Sequence, residues 1–474
     1  MTTTSTTSTT SDLTWLAREL RSSLRGATFI PGDDGYEAAV QAWNLTVVQH
    51  PAVAVAPVDA ADLALAVRTA RAHGVAVAIQ ATGHGVARPA DGALLILTGA
   101  LDQVSVDPVT ETATVGAGVR WGAVLAAAQE HGLAPLLGSS PDVGAVGYTL
   151  GGGMGWLARR FGLASDSVRS FELVTPDGLE LHASATENAT VFEALRGGGA
   201  GTLGVVTSME IDLYPVSTVY GGSLFYPADD AREVVRRWLT WTATVDDDVT
   251  SSVSLMNFPP FEAVPEPLRG RSFVVLRACF VGDLDRAAAT VDAWRAWRAP
   301  EIDLFRAMPF AEVGAISMDP EEPTPARLST EWFDEVPDEV VEVLVDATYP
   351  QGGPPGLVFS ELRHAGGAIS RSTATGTGRR GRDGRFLLCL LAPTQPGDDS
   401  AADAHLAATR ARLAPFATGA TYLNFTDGGE RRERTASAFS EAELRQLGAV
   451  KALLDPDGRF DHGLDLSAAV GTDA

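Results

Sequence analysis

The first half of the chain alternates between short apolar runs and glycine-rich breaks. The run Val53 to Val55 is followed by Pro57 and Asp59. Asp59 is placed to cap a helix, with Leu63, Val67 and Ala70 on one face at spacings of four and three. Gly74 closes that helix, and Val75 to Ile79 predicts a second strand. Strand, helix, strand is a compact α/β unit. Ala93 to Leu97 and Ala113 to Val115 predict further strands, and Trp121 to Gln129 predicts a helix ending before Gly132. Phe171 to Val174 and Leu179 to Leu181 flank Pro176-Asp177-Gly178, which reads as a hairpin. Val205 to Leu213 alternates as a strand does.

The texture changes near Val216, where glycine breaks thin out and Trp and Pro rise. Ala231 to Trp241 is an amphipathic helix, Phe273 to Phe280 an apolar strand, Ala287 to Trp297 a helix, and Phe386 to Leu391 another apolar strand. Asp319 to Pro325 is an acidic, proline-rich loop. Residues 216–418 are therefore expected to form a second α+β domain. The remainder is expected to hold a short strand around Tyr422, a helix from Glu441 and a turn at Asp455-Pro456-Asp457-Gly458.

Composition narrows the function. The 474 residues include 36 Lys and Arg against 60 Asp and Glu, a formal charge of −24. So acidic a chain repels a phosphate backbone, which argues against a nucleic-acid partner. No run approaches the ~20 apolar residues of a membrane span. Cys279 and Cys389 are the two cysteines, too few for a disulfide framework or a metal cluster. Met1 to Ser11 is nearly all Thr and Ser, without the basic and apolar regions of a secretory signal. It is expected to be a disordered tail on a cytoplasmic protein, with 1–40 as tail and leading segment.

Glycine carries the chemical signal. Of 48 glycines, many fall in three loops: Gln80 to Gly85, Gly138 to Gly155, and Gly197 to Gly201. Such loops bring backbone close to a ligand and turn N–H groups toward an anion. Three of them suggest a large phosphate-bearing cofactor; tight turns alone would use scattered single glycines. Two literal dinucleotide fingerprints occur, Gly199 to Gly204 and Gly153 to Ala158. The first leads into a strand where the fingerprint needs a helix, and the second follows a glycine-broken stretch, so a Rossmann site is not expected.

His84, one of eight histidines, sits between Gly83 and Gly85. A solvated surface residue, an acid or base, a metal ligand and a covalent tether are all open to it. No Cys, Asp or His at metal spacing accompanies it. Flanking glycines let an imidazole lie flat against a bulky ring system.

At these residues the chain resembles the FAD-linked oxidases that include berberine bridge enzyme and 6-hydroxy-D-nicotine oxidase. Gly83-His84 matches their R-S-G-G-H-S loop, although Gln80 and Gly85 replace its Arg and final Ser. Trp43-Asn44, the Pro141-x-Val143-Gly144 and Gly147 block, and Gly151-Gly152-Gly153-x-Gly155 with Asp166 continue the likeness. So do Arg196 to Val206, Tyr422 to Phe425, and Lys451 through Asp455-Pro456 to Phe460. The resemblance spans roughly residues 40 to 466 in one order.

The resemblance implies an α+β protein: a two-lobed FAD-binding domain of PCMH type over 41–215, an antiparallel substrate domain, and a 419–474 segment returning to the first. It implies FAD bonded through its 8α-methyl to His84. Cofactor contacts are then expected at Thr82, Gly83, Gly85, Gly138, Ser139, Ser140, Val143, Gly144, Gly147, Tyr148, Gly152, Gly153, Gly201, Gly204, Val206 and Asn424. Ser140 stands where bicovalent members carry Cys, so a single tether is expected. Val143 stands where Val goes with access of O2. Phe425 replaces a Tyr and removes a hydroxyl.

The implied reaction moves a hydride from a C–H beside an alcohol or amine to flavin N5, with O2 as acceptor. A dehydrogenase or oxidative cyclase using another acceptor is the alternative, and a non-catalytic binding protein is a third reading. Alcohol oxidation needs a base. Phe386 to Leu391 offers none and suggests a hydrophobic or aromatic substrate; Cys389 reads as core. On the neighbouring strand Glu361 shares a face with Arg363, while His364 takes the other. Glu361 is either the base or a partner in an ion pair with Arg363.

Overall fold

The computed structural model describes residues 10–352, 356–394 and 398–470. Most of the expected N-terminal tail, residues 1–9, lies outside the described residues. From Thr10 the chain departs from that expectation, because Thr10–Ser23 is a helix. Leu16 and Leu20 lie four apart on one face and are fully buried in the cluster that holds Leu63 and Val67. Burial of that face outweighs the poor helix preference of the Thr- and Ser-rich lead.

The first unit follows its pattern. Val53–Ala56, Leu94–Leu97 and Val77–Gln80 are parallel strands, with Ala27–Phe29 added antiparallel at one edge. Between the strands Val53–Ala56 and Val77–Gln80 runs the helix Ala60–Ala72. Asp59 caps it, its carboxylate accepting the Asp62 N–H at 3.0 Å.

Five antiparallel strands follow, in the order Val104–Asp107, Thr112–Gly116, Val205–Asp212, Val168–Val174, Glu180–Ser184. The last two form the expected hairpin. Val205–Asp212 is a strand, so the glycines before it lead into no helix. The second fingerprint leads only to the four-residue helix Ala158–Phe161. Neither is a Rossmann site.

The third sheet has eight antiparallel strands running from Thr218–Pro227 to Phe386–Ala392. Alternation gives it two different faces. Leu224, Val253, Leu276, Leu362, Leu388 and Leu390 pack beneath the helices Ala231–Thr242, Asp338–Thr348 and Ser400–Leu413. The opposite face carries Ser223, Ser252, Ser254, Arg277, Glu361 and Cys389, all buried. It is turned toward the glycine loops.

The C-terminal segment packs on the first unit. The Val77 N–H donates to the Arg459 carbonyl at 2.8 Å. Lys451 Nζ donates to the carbonyls of Thr202 at 3.0 Å and Phe460 at 2.8 Å, and pairs with Asp455. The strand expected around Tyr422 is instead a 3₁₀ turn at Leu423–Phe425. The Tyr422 N–H donates to the Thr330 hydroxyl at 3.0 Å, and that hydroxyl donates back to the Tyr422 carbonyl at 3.3 Å. A side chain thus satisfies the groups a neighbouring strand would have met. Among the described residues no helix is long and apolar enough to cross a membrane.

Lys451 is the sole cation on the buried Asp455 carboxylate among the described residues. Breaking a buried pair from one side costs about 3–5 kcal/mol. Lys451→Met is expected to lower unfolding free energy in urea by about 3 kcal/mol. A loss under about 1 kcal/mol would show that this clamp is incidental.

Candidate active site

The strand Val77–Gln80 ends in a turn through Ala81 to Gly85. Gly83 makes that turn possible: its φ is +80°, and a Cβ there would sit 2.7 Å from Ala42 Cα. The Trp43 N–H donates to the Thr82 carbonyl at 3.0 Å, and the Asn44 N–H to that of Gly83 at 3.2 Å. This short pairing lays the Trp43 indole on the His84 imidazole, with centroids 4.1 Å apart and planes 14° from parallel. Thr82 Oγ1 lies 2.7 Å from His84 Nδ1. Burial, with the Arg120 charge, pushes the imidazole down to about 4. At neutral pH the ring is therefore uncharged and keeps a nitrogen lone pair. Gly85 is exposed, and its carbonyl accepts from the buried Arg431 at 3.2 Å.

The second loop reaches the first through Gly144, where a Cβ would lie 3.3 Å from Ala81 and 3.6 Å from the Thr82 side chain. Ser139, Ser140 and Val143 are half-buried. The Ser140 hydroxyl accepts the Asp142 N–H at 3.3 Å, and the Val143 carbonyl accepts the Trp121 N–H at 3.0 Å. Gly138 and Gly153 pack against the Tyr148 ring. Burial holds the Tyr148 hydroxyl well above its ordinary value, and it has no partner among the described residues. Gly147 is exposed, with nothing within 4 Å of where its Cβ would be.

The Tyr422 turn closes over this loop. Asn424 Nδ2 donates to the Tyr148 carbonyl at 2.9 Å, and the Gly153 N–H donates to the Tyr422 hydroxyl at 3.0 Å. Gly152 lies against the Tyr422 ring. Gly155 backs onto the Leu137 carbonyl so closely that any Cβ would overlap it.

The third glycine loop is used differently. Gly201 lies against Gly463, Gly204 against the Val174 carbonyl, and Val206 is a buried core residue. At these three positions the close neighbour is protein.

Glu361 lies on the polar face of the eight-stranded sheet, 3% exposed. Its Oε2 accepts from Arg363 Nε at 2.7 Å, and its Oε1 from Ser252 at 2.7 Å and Arg277 at 3.4 Å. Burial alone would raise the carboxyl. Arg363, Arg277 and the Ser252 hydrogen bond outweigh it and bring the group down to about 2. The base expected here is thus a paired carboxylate with little affinity for a proton. His364 takes the other face, as its period predicts, and bonds Arg159 at 2.9 Å. A narrow cleft separates Ser139, Met154, Gly155 and Trp156 from Thr250, Ser251, Ser252 and Arg363.

Arg277, Ser252, Arg363 and Tyr422 belong to this region without having been singled out as site residues. A lone Arg inside the apolar run Phe273 to Phe280 was the available signal for the first. Ser252 needed cross-strand register, which sequence alone does not supply, whereas Arg363 was read as the ion-pair partner of Glu361 and Tyr422 only as part of the Tyr422 to Phe425 block.

Residues 51–184 match the family profile described as an FAD binding domain. Over 463 residues the chain is 25% identical to (R)-6-hydroxynicotine oxidase of Paenarthrobacter nicotinovorans, covering 94% of this chain and 97% of that one. It is 26% identical over 458 residues to an FAD-linked oxidoreductase of Bacillus subtilis, covering 92% and 97%. Over nearly its whole length the chain is thus similar to FAD-linked oxidoreductases, and it carries an FAD binding domain. The fold of this flavoenzyme is likewise that of solved relatives. The crystal structure of 6-hydroxy-D-nicotine oxidase from Arthrobacter nicotinovorans superposes with a TM-score of 0.82 at 23% identity, covering 94% and 98%. A chitooligosaccharide oxidase gives 0.79 at 19%, covering 95% and 98%. The flavoenzyme is thus an α+β protein of the PCMH type.

The residues present fit an FAD. Gly147 leaves open backbone, the buried Tyr148 hydroxyl lacks a partner among the described residues, and His84 offers a neutral nitrogen fixed by Trp43.

The Glu361 carboxyl lies below its usual 4.5 in the folded enzyme. Its contribution to stability is therefore complete above pH 4.5 and fades as pH falls toward about 2. Glu361→Gln should flatten that acid limb in urea melts run between pH 5 and 3. An unchanged slope would show that the carboxylate is not held by its arginines.

Proposed function

We propose that this flavoenzyme is an oxidase, holding FAD by a single covalent bond to His84 and passing electrons to O2. The observation that carries the proposal is the His84 imidazole, uncharged, stacked on Trp43 and set between two glycines. A protonated imidazole has no lone pair to bond a carbon, so a depressed pKa suits a tether. Trp43 fixes the ring plane, and Thr82 fixes its rotation through Nδ1.

FAD when bound supplies a hydride acceptor for a C–H beside an alcohol or amine. The chain positions and shields. The Tyr422 hydroxyl holds the Gly153 N–H, and Asn424 holds the Tyr148 carbonyl. The Ser140 hydroxyl is a poor nucleophile beside a thiolate, which supports one tether rather than two. Val143, half-buried on the same loop, is proposed to leave room for O2. Since Glu361 is ion-paired and burial keeps the Tyr148 hydroxyl protonated, the substrate proton is proposed to leave to water; a neutral amine substrate needs no such base. Use of another acceptor by the same fold is the second reading, favoured if Val143 does not admit O2.

Acid denaturation of wild type should leave the yellow chromophore on the polypeptide, while His84→Ala should release it to the supernatant. Equal release from both would remove His84 from the tether role. Under air, a turned-over substrate should yield one H2O2 per flavin cycle; turnover with an artificial acceptor but no H2O2 would identify a dehydrogenase.

A further inference from the structure

Arg363 is anchored at one end and free at the other. Its Nε donates to Glu361 at 2.7 Å, and the side chain makes no other hydrogen bond among the described residues. The guanidinium lies 4.7 Å over the Phe425 ring, where it also acts on Tyr148 and Tyr422. It lines the narrow cleft between the Ser139 loop and the polar face of the sheet. Trp156 lines the same cleft, is 8% exposed, and has a buried Nε1–H with no partner among the described residues.

Hydroxyls of Ser139, Thr250, Ser251 and Ser252 line the cleft as donors and acceptors, but no carboxylate or carbonyl takes up the outer nitrogens of Arg363 or the Trp156 Nε1–H among the described residues. Both Glu361 oxygens are engaged, by Ser252 and Arg277 on one side and Arg363 on the other. Two guanidiniums facing one carboxylate leave this buried trio with one net positive charge. A buried donor without an acceptor is costly, and a ligand that accepts removes the cost. The planar fork of a guanidinium matches a carboxylate through two parallel hydrogen bonds. A cationic amine would be repelled at this point, and a lone hydroxyl would satisfy one donor only. The acidic surface does not oppose this, because charges beyond about 8–10 Å are screened at physiological salt.

We propose that Arg363 and Trp156 bind a carboxylate on the substrate, so that this enzyme oxidises an organic acid anion rather than a neutral alcohol or amine. The inference rests on the reading of the neighbouring loops as the flavin site. Met154 and the Phe425 ring would meet the apolar part of such a molecule.

Calorimetric titration of the purified flavoprotein with benzoate and with benzyl alcohol tests this. Benzoate should bind at least about tenfold more tightly than benzyl alcohol. Arg363→Lys keeps the charge and loses the fork; it should weaken benzoate about tenfold and leave benzyl alcohol unchanged. Trp156→Phe keeps the ring and loses the N–H, and should weaken benzoate about fivefold. Equal binding of the two probes by wild type would overturn the proposal, and so would unchanged benzoate affinity in both variants. If Arg363→Lys fails to fold, the wild-type comparison and Trp156→Phe still decide. A yellow protein without the preference contradicts this site and leaves the flavin reading intact. A colourless protein that prefers benzoate supports the site and contradicts the flavin reading.

Discussion

Backbone must touch backbone for this site to assemble. Gly83 lies on Ala42 and Trp43, Gly155 on the Leu137 carbonyl, Gly197 on the Thr377 carbonyl, and Gly463 on the Ala200-Gly201 backbone. A side chain at any of these positions would push apart segments that are distant in sequence. The first contact seats Trp43 on His84. The second sets the path of the Met154 to Trp156 stretch that forms one wall of the cleft. The last, with Lys451, pins the C-terminal segment to the third glycine loop. Glycine therefore acts less as a source of flexibility than as absent volume, and the geometry around His84 follows from that absence.

The second organising feature is the polar face of the eight-stranded sheet. A sheet buried on both sides usually carries apolar residues on both. Here the helix-covered face does so, while the other buries serines, Arg277 and Glu361, with Arg363 half-buried beside them. An ion pair in such a place adds little net stability compared with apolar packing, because desolvation offsets its attraction. It does fix geometry. Glu361, held from both sides, sets the direction of Arg363, and Arg363 with Phe425 and Trp156 shapes the ground that faces the glycine loops.

Much of the fold was legible because local pattern and tertiary outcome agree. The helix Trp121–Gln129 and the hairpin around Asp177 follow from periodicity and turn chemistry. The His84 loop was legible from its glycines and from the order of the surrounding blocks. What escaped depended on partners far along the chain. The helix Thr10–Ser23 exists because Leu16 and Leu20 find a distant apolar cluster. The turn at Tyr422 replaces a strand because Thr330 satisfies its backbone. The glycines at Gly201 and Gly204 read as cofactor contacts, and on the side where a Cβ would stand each meets protein backbone. Glu361 read as an ion-pair partner of Arg363 or as a base, and the register that places Arg277 within reach adds a second cation to the pair.

The account stands or falls on the chemistry at one ring nitrogen. Peptide mass mapping of the purified yellow protein addresses it without mutation. The proteolytic peptide that contains His84 should carry the added mass of one flavin nucleotide, and peptides containing Ser140 should carry none. A flavin-retaining protein whose His84 peptide has its unmodified mass would contradict the account.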